Sequence, residues 1–175
     1  MKKYRNWIIG FVISATVGAV ALQNGLTSSP INPPAGNEPC AYMEAYQDVP
    51  DLAAKIETSI HTLNSDAKIR AQAYGENCVA SDGSGIFSAK ETDVYVRTTV
   101  EDLPDEEAFG NWMAQVLPLI VQIPESEFPG SYGFVEFWFE KNDAEHVIVR
   151  VPIQEYLNTG QGKIGKELFE IFSNP

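Results

Sequence analysis

Histidine, cysteine and cationic side chains are scarce in this 175-residue sequence, and each scarcity argues against a class of function. The two histidines, His61 and His146, lie far apart, and the two cysteines are Cys40 and Cys78. No C-x-x-C occurs and the four residues lack metal-ligand spacing, so neither a metal nor any other cofactor is expected. A Ser-His-acid triad would have to draw on the same two histidines. Its best serine, Ser84 in Asp82-Gly83-Ser84-Gly85, lacks the G-x-S-x-G context between a core strand and a helix. His61 reads as a helix-face residue and His146 as a surface residue at a strand end.

Cations are the next shortage: 12 Lys and Arg against 24 Asp and Glu give a formal charge of −12. Lys2, Lys3 and Arg5 precede the first apolar run, and without them nine cations face the 24 acids. So acidic a surface repels phosphate backbones, and no nucleic-acid partner is expected. Its simplest role is solubility.

The uncharged run Trp7–Leu22 covers 16 residues, about 24 Å as a helix at about 1.5 Å per residue. That is short of the ~30 Å hydrocarbon core. Behind Met1-Lys2-Lys3-Tyr4-Arg5 it reads as an export signal, the positive end staying on the cytoplasmic side. Ala19-Val20-Ala21 fits the small-x-small pattern of signal peptidase. Residues 1–22 are therefore expected to be a signal peptide cleaved after Ala21 or an N-terminal membrane anchor. Cys40, after Asn37-Glu38-Pro39, lacks the aliphatic-small-small context of a lipidated cysteine. Residues 23–39 carry Pro30, Pro33, Pro34 and Pro39 among Gly, Ser and Asn, the composition of a spacer. Residues 40–175 are then a single extracytoplasmic domain, with the membrane a partner through the N-terminal segment wherever it is uncleaved. In that oxidising setting Cys40 and Cys78 are expected to form a disulfide, worth about 4 kcal/mol by chain entropy.

What the chain does have is apolar and aromatic material in regular patterns: 44% hydrophobic residues, with 9 Phe, 7 Tyr and 3 Trp. Leu52, Ile56, Ile60 and Leu63 recur at helical spacing after Asp48-Val49-Pro50-Asp51, predicting a helix over 50–64. Strand alternation runs over Lys68–Ala73 and Thr92–Val100, with a loop expected from Gly75 to about Glu91. A second helix opens at Asp102–Glu107 and carries Phe109, Trp112, Met113, Val116 and Leu117, until Pro118 kinks or ends it. Gly133–Lys141 and Glu145–Ile153 read as a hairpin, and a last helix carries Ile164, Leu168, Ile171 and Phe172. The expected fold class is α+β, in the order α-β-β-α-β-β-α, with a four-stranded, mainly antiparallel sheet and helices on one face.

Two further chemistries fit poorly. Counting back twelve positions from Glu91 puts Asp82, Ser84 and Gly85 at calcium-loop places, but Ala80 stands where the first ligand is required. Glu136 and Glu140, four residues apart on one strand, have backbones roughly 13 Å apart at about 3.3 Å per residue, too far for an acid–base pair.

The same strand offers the best candidate surface. Phe134, Glu136, Trp138 and Glu140 form one face, and Val135, Phe137 and Phe139 the other. The second set should meet the helices. The first should share the opposite face with Tyr95, Arg97, Ile148 and Arg150, unless the last helix or the region after Pro118 covers it. Large aromatics amid mixed charge are enriched in binding surfaces. The expectation is a non-enzymatic module that binds a protein, peptide or small ligand through Trp138, Arg97, Tyr95, Glu136 and Arg150. A small hydrolase built around Glu136, Glu140 and His146, or an envelope structural component, are the alternatives.

Overall fold

The computed structural model describes residues 40–173, so the expected leader (1–22) and spacer (23–39) lie outside the described residues. Among the described residues no helix is long and apolar enough to cross a membrane. The strands are β1 (Ala41–Asp48), β2 (Lys68–Val79), β3 (Gly85–Thr99), β4 (Tyr132–Glu140) and β5 (His146–Pro152). The helices are α1 (Pro50–Ile60), α2 (Glu106–Val121), the single turn α3 (Ile153–Glu155) and α4 (Gly165–Ser173). A π-helical turn, Tyr156–Gly160, follows α3.

The α+β class holds, but the sheet has five strands rather than four and is mixed. Its order is β1-β2-β3-β4-β5, with every neighbouring pair antiparallel except β3 and β4, which run parallel. The parallel pair follows from α2: a helical crossover returns the chain to the end where β3 began, so β4 sets off in the same direction. Alternation along a strand reports its buried face and not its neighbour, so the pattern did not carry this pairing.

The extra strand, β1, is exposed at every residue except half-buried Ala45. With neither face in the core it lacks the one-sided alternation that marks a strand. Pairing with β2 along its whole length makes it one, and the Cys40–Cys78 disulfide fastens its start, with Cα atoms 5.3 Å apart. The stretch expected to be a loop from Gly75 is instead the far half of a β2–β3 ribbon that turns at residues 80–84. A register shift at Tyr74/Gly75 marks its middle. Gly75 is needed there, because a Cβ would lie 2.0 Å from the Ser88 carbonyl oxygen.

The helices gather on one side. Leu52, Ile56 and Ile60 of α1, Phe109, Met113, Val116, Leu117 and Ile120 of α2, and Leu168, Phe169 and Phe172 of α4 are buried. They meet Ala71, Val94, Val96, Val135, Phe137, Phe139, Val149 and Val151, the buried set of the central strands. Helix α1 stops at Ile60, leaving Leu63 exposed, and α4 leaves Ile164 exposed. Pro118 does not end α2, which continues to Val121. Burial of Val116, Leu117 and Ile120 outweighs the one backbone bond that proline removes.

Candidate functional site

Because the packing helices sit on one side, the other face of β2–β5 is clothed mainly by its own side chains, with α4 reaching only its β5 edge. Register brings the expected residues into rows across the strands. Arg70, Tyr95, Glu136 and Arg150 stand opposite one another in sequence, and Lys68, Arg97, Trp138 and Ile148 form the next row. All five residues singled out above therefore lie on one surface.

The centre of the surface is Glu136, only 5% exposed. A buried carboxylate must be paired and hydrogen-bonded, and both its oxygens are occupied. Arg150 donates through Nε (3.0 Å) and Nη2 (2.6 Å) to Oε2, and Trp138 donates through Nε1 (2.7 Å) to Oε1. The same hydrogen bond from Arg150 holds its guanidinium firmly protonated, raising its pKa. That guanidinium lies 4.1 Å over the Phe134 ring, and Tyr95 meets Phe134 edge-on at 6.0 Å. Burial, followed by the nearby Asp93 and Glu136 charges, raises the Tyr95 hydroxyl pKa, keeping it a neutral donor.

One strand-row along, Arg97 stacks 4.4 Å above Trp138 and reaches Glu140 at 3.4 Å. His146 stacks against the same indole at 5.2 Å. Trp138 is thus half-buried within its own strand face. Arg97 is exposed, as are Ile148 (42%) and the Arg150 side chain (59%). A hollow of about 600 Å³ opens beside the Glu136–Arg150 pair, bounded by Ile148 and Pro152 of β5, Glu155, and Ile171 and Phe172 of α4.

The structure adds residues that the pattern reading passed over. Asp93 is 2% exposed on the same face, and its Oδ1 accepts the Phe134 N–H at 3.2 Å. Burial first, then the Glu91 and Glu136 charges, push its pKa up to about 6, against the Phe134 hydrogen bond and Arg150, which pull it down. Its place in Thr92–Val100, one step from Tyr95, was the available signal. On the β1 side, Tyr46 packs on Tyr74 at 5.2 Å, and Asp48 accepts from Arg70 and Gln72. No signal pointed to these, because β1 was not visible as a strand.

The remaining candidates stay apart from this surface. Ser84 is in the ribbon turn, where its N–H and Oγ both donate to Asp82 Oδ1. These bonds lower the Asp82 pKa and make the would-be calcium loop an ordinary turn. His61 ends α1, its Nε2 2.9 Å from the Ala67 carbonyl. Among the described residues no group of three or more His, Cys, Asp or Glu is arranged to hold a metal. Glu136, with both oxygens engaged, is poorly placed to carry a proton for hydrolysis. No family model, no curated protein and no solved structure matches this chain.

Proposed function

We propose that this protein is an extracytoplasmic, non-enzymatic binding module, secreted or tethered by its N-terminal segment, which captures a peptide, protein or small ligand on the helix-free sheet face. The observation that carries the reading is the prearranged pair of stacks, Arg97 on Trp138 and Arg150 on Phe134, tied together through Glu136. Aromatic and arginine side chains already held in place lose little freedom on binding, so more of their contact energy appears as affinity. The Cys40–Cys78 disulfide is compatible with an oxidising compartment, and the basic-then-apolar start of the sequence supports export.

The test is a peptide library panned against the wild-type protein, with the selected peptides then titrated into the double variant Trp138→Ala/Arg97→Ala. Binding should weaken at least about tenfold, since loss of an interface anchor costs about 2 kcal/mol or more. The melting temperature should fall, because Trp138→Ala takes the Nε1 donor from the buried Glu136, so the titration is run well below the variant's melting temperature. The milder variant Arg97→Gln, which keeps the Trp138 ring in place, should also weaken binding. Equal affinity for wild type and both variants would refute the proposal.

A further inference from the structure

A second site stands on the other side of the sheet, at the carboxyl ends of the parallel strands β3 and β4. There the link Val100–Asp105 leads into α2 and leaves a cavity of about 330 Å³. Its walls are Phe109 and Trp112 of α2 with Phe139 of β4, its base includes Thr98 of β3, and its mouth carries Glu101, Asp102 and Asp105. That volume lies at the small end of the range for ligand pockets, and crevices outside the carboxyl ends of parallel strands are where α/β sheets commonly bind ligands.

The polar atoms of this cavity set it apart. Buried polar groups are nearly always hydrogen-bonded. Two buried side-chain atoms among the described residues have no partner, Thr98 Oγ1 and Trp112 Nε1, and both residues line this one cavity. Thr98 is 8% exposed. The indole N–H can only donate and the hydroxyl can do either, so the complementary group is an oxygen that accepts from Trp112 and shares a proton with Thr98.

Charge decides the rest. The start of α2 offers positive backbone dipole, but Asp105 has already answered it. Its Oδ1 accepts the Ala108 N–H at 2.9 Å, and its carbonyl accepts that of Phe109 at 3.0 Å. No Lys, Arg or His lines the cavity, and none of its three carboxylates is in an ion pair among the described residues. An anion would meet only like charge. A cation at the mouth would meet three acids, and an aromatic or aliphatic body would meet Phe109 and Phe139.

We propose that this cavity binds a small organic amine with an apolar body and a hydroxyl or carbonyl oxygen at the end away from the ammonium. The oxygen takes the Trp112 and Thr98 hydrogen bonds, and the ammonium rests among Glu101, Asp102 and Asp105. The site is independent of the Trp138 face, since Phe139 and Trp138 point to opposite sides of β4.

Tyramine has all three features and serves as the probe, added to the full-length protein labelled with nitrogen-15. The Trp112 indole N–H resonance, identified by its loss in Trp112→Phe, should shift saturably at millimolar tyramine or below, while that of Trp138 stays in place. Phenethylamine, without the hydroxyl, and 4-hydroxyphenylacetate, with a carboxylate for the ammonium, should each bind at least about tenfold more weakly. Asp105→Asn keeps an effective helix cap and removes the charge; it and Thr98→Val should each weaken tyramine about tenfold, the worth of one charge-assisted or buried hydrogen bond. A stationary Trp112 resonance at millimolar tyramine, a shift at Trp138 instead, or equal binding of 4-hydroxyphenylacetate would overturn the proposal.

Discussion

Asp93 directs its carboxylate Oδ1 at the backbone N–H of Phe134, 3.2 Å away, from a position that is only 2% exposed. The bond joins β3 to β4 where their parallel register shifts, between Thr92 and Val94. It also fits tightly over Gly133, whose Cβ, were there one, would sit 2.1 Å from that same oxygen. One hydrogen bond does not repay the desolvation of a carboxylate, so folding makes this acid harder to ionise.

The consequence is a pH dependence of definite sign. The Asp93 pKa rises from 3.8 to about 6 on folding. Between those values the folded chain holds more protons than the unfolded one, and stability therefore falls as pH rises through the window. Two units correspond to about 2–3 kcal/mol. Asp93→Asn keeps an acceptor for Phe134 and cannot ionise. Urea unfolding of both proteins at pH 4 and pH 7 should show the variant gaining on wild type by about 2–3 kcal/mol at the higher pH. The same difference at both pH values would mean that Asp93 does not titrate in this range.

The disulfide is expected to act on one strand more than on the whole domain. Strand β1 contributes nothing to the core: Tyr42 is 71% exposed, Met43 56% and Tyr46 60%. Its inner end is held by the Arg70–Asp48 contact and by Val49 N–H on the Ala71 carbonyl, its outer end by Cys40–Cys78. Reduction should let the outer end open while the helices and central strands stay folded. Global stability should then drop by about 1–2 kcal/mol, less than the ~4 kcal/mol of the chain-entropy figure for such a loop. Amide exchange should accelerate in Ala41–Ala45 and their partners Gly75–Val79, with α2 little changed. Uniform acceleration through α2 would show the bridge stabilising the whole fold.

How much of this could be read from the sequence depends on where each segment's contacts lie. The strands β4 and β5 were legible because Val135, Phe137, Phe139, Val149 and Val151 are apolar and buried against the helices while Phe134, Glu136, Trp138, Ile148 and Arg150 between them form the opposite, mixed-charge face, which writes a period of two into the chain. The same alternation gathered Tyr95, Arg97, Glu136, Trp138 and Arg150 on one face, and the structure brings those five together. Strand β1 and the outer ribbon were not legible, since their partners are backbone groups and their side chains are wet on both sides. The Thr98–Trp112 cavity was hidden for a different reason: Thr98 reads as an ordinary strand residue and Trp112 as part of an apolar stripe. Only packing shows that their polar atoms lack partners.

Helix α2 provides a case where local and tertiary rules give opposite signs. Gly110 lies inside the helix, where replacement by alanine normally stabilises by about 1 kcal/mol. Here a Cβ would stand 1.7 Å from the carbonyl oxygen of Gly165, at the start of α4, and backbone cannot yield as a side-chain tip can. The same junction holds the Glu107 carboxylate against the Lys166 N–H at 2.9 Å and the Phe109–Phe169 ring contact at 5.8 Å. Forcing α2 and α4 apart would disturb both, so Gly110→Ala should destabilise by about 3 kcal/mol or more. Gly83 in the ribbon turn makes the control: its φ is +82° but nothing lies within 4 Å of a Cβ there. Gly83→Ala should therefore cost only the left-handed conformation, about 1–2 kcal/mol. Thermal melts of the two variants should rank Gly110→Ala far below Gly83→Ala. The reverse order would mean that α4 does not rest on α2 through this pair of glycines.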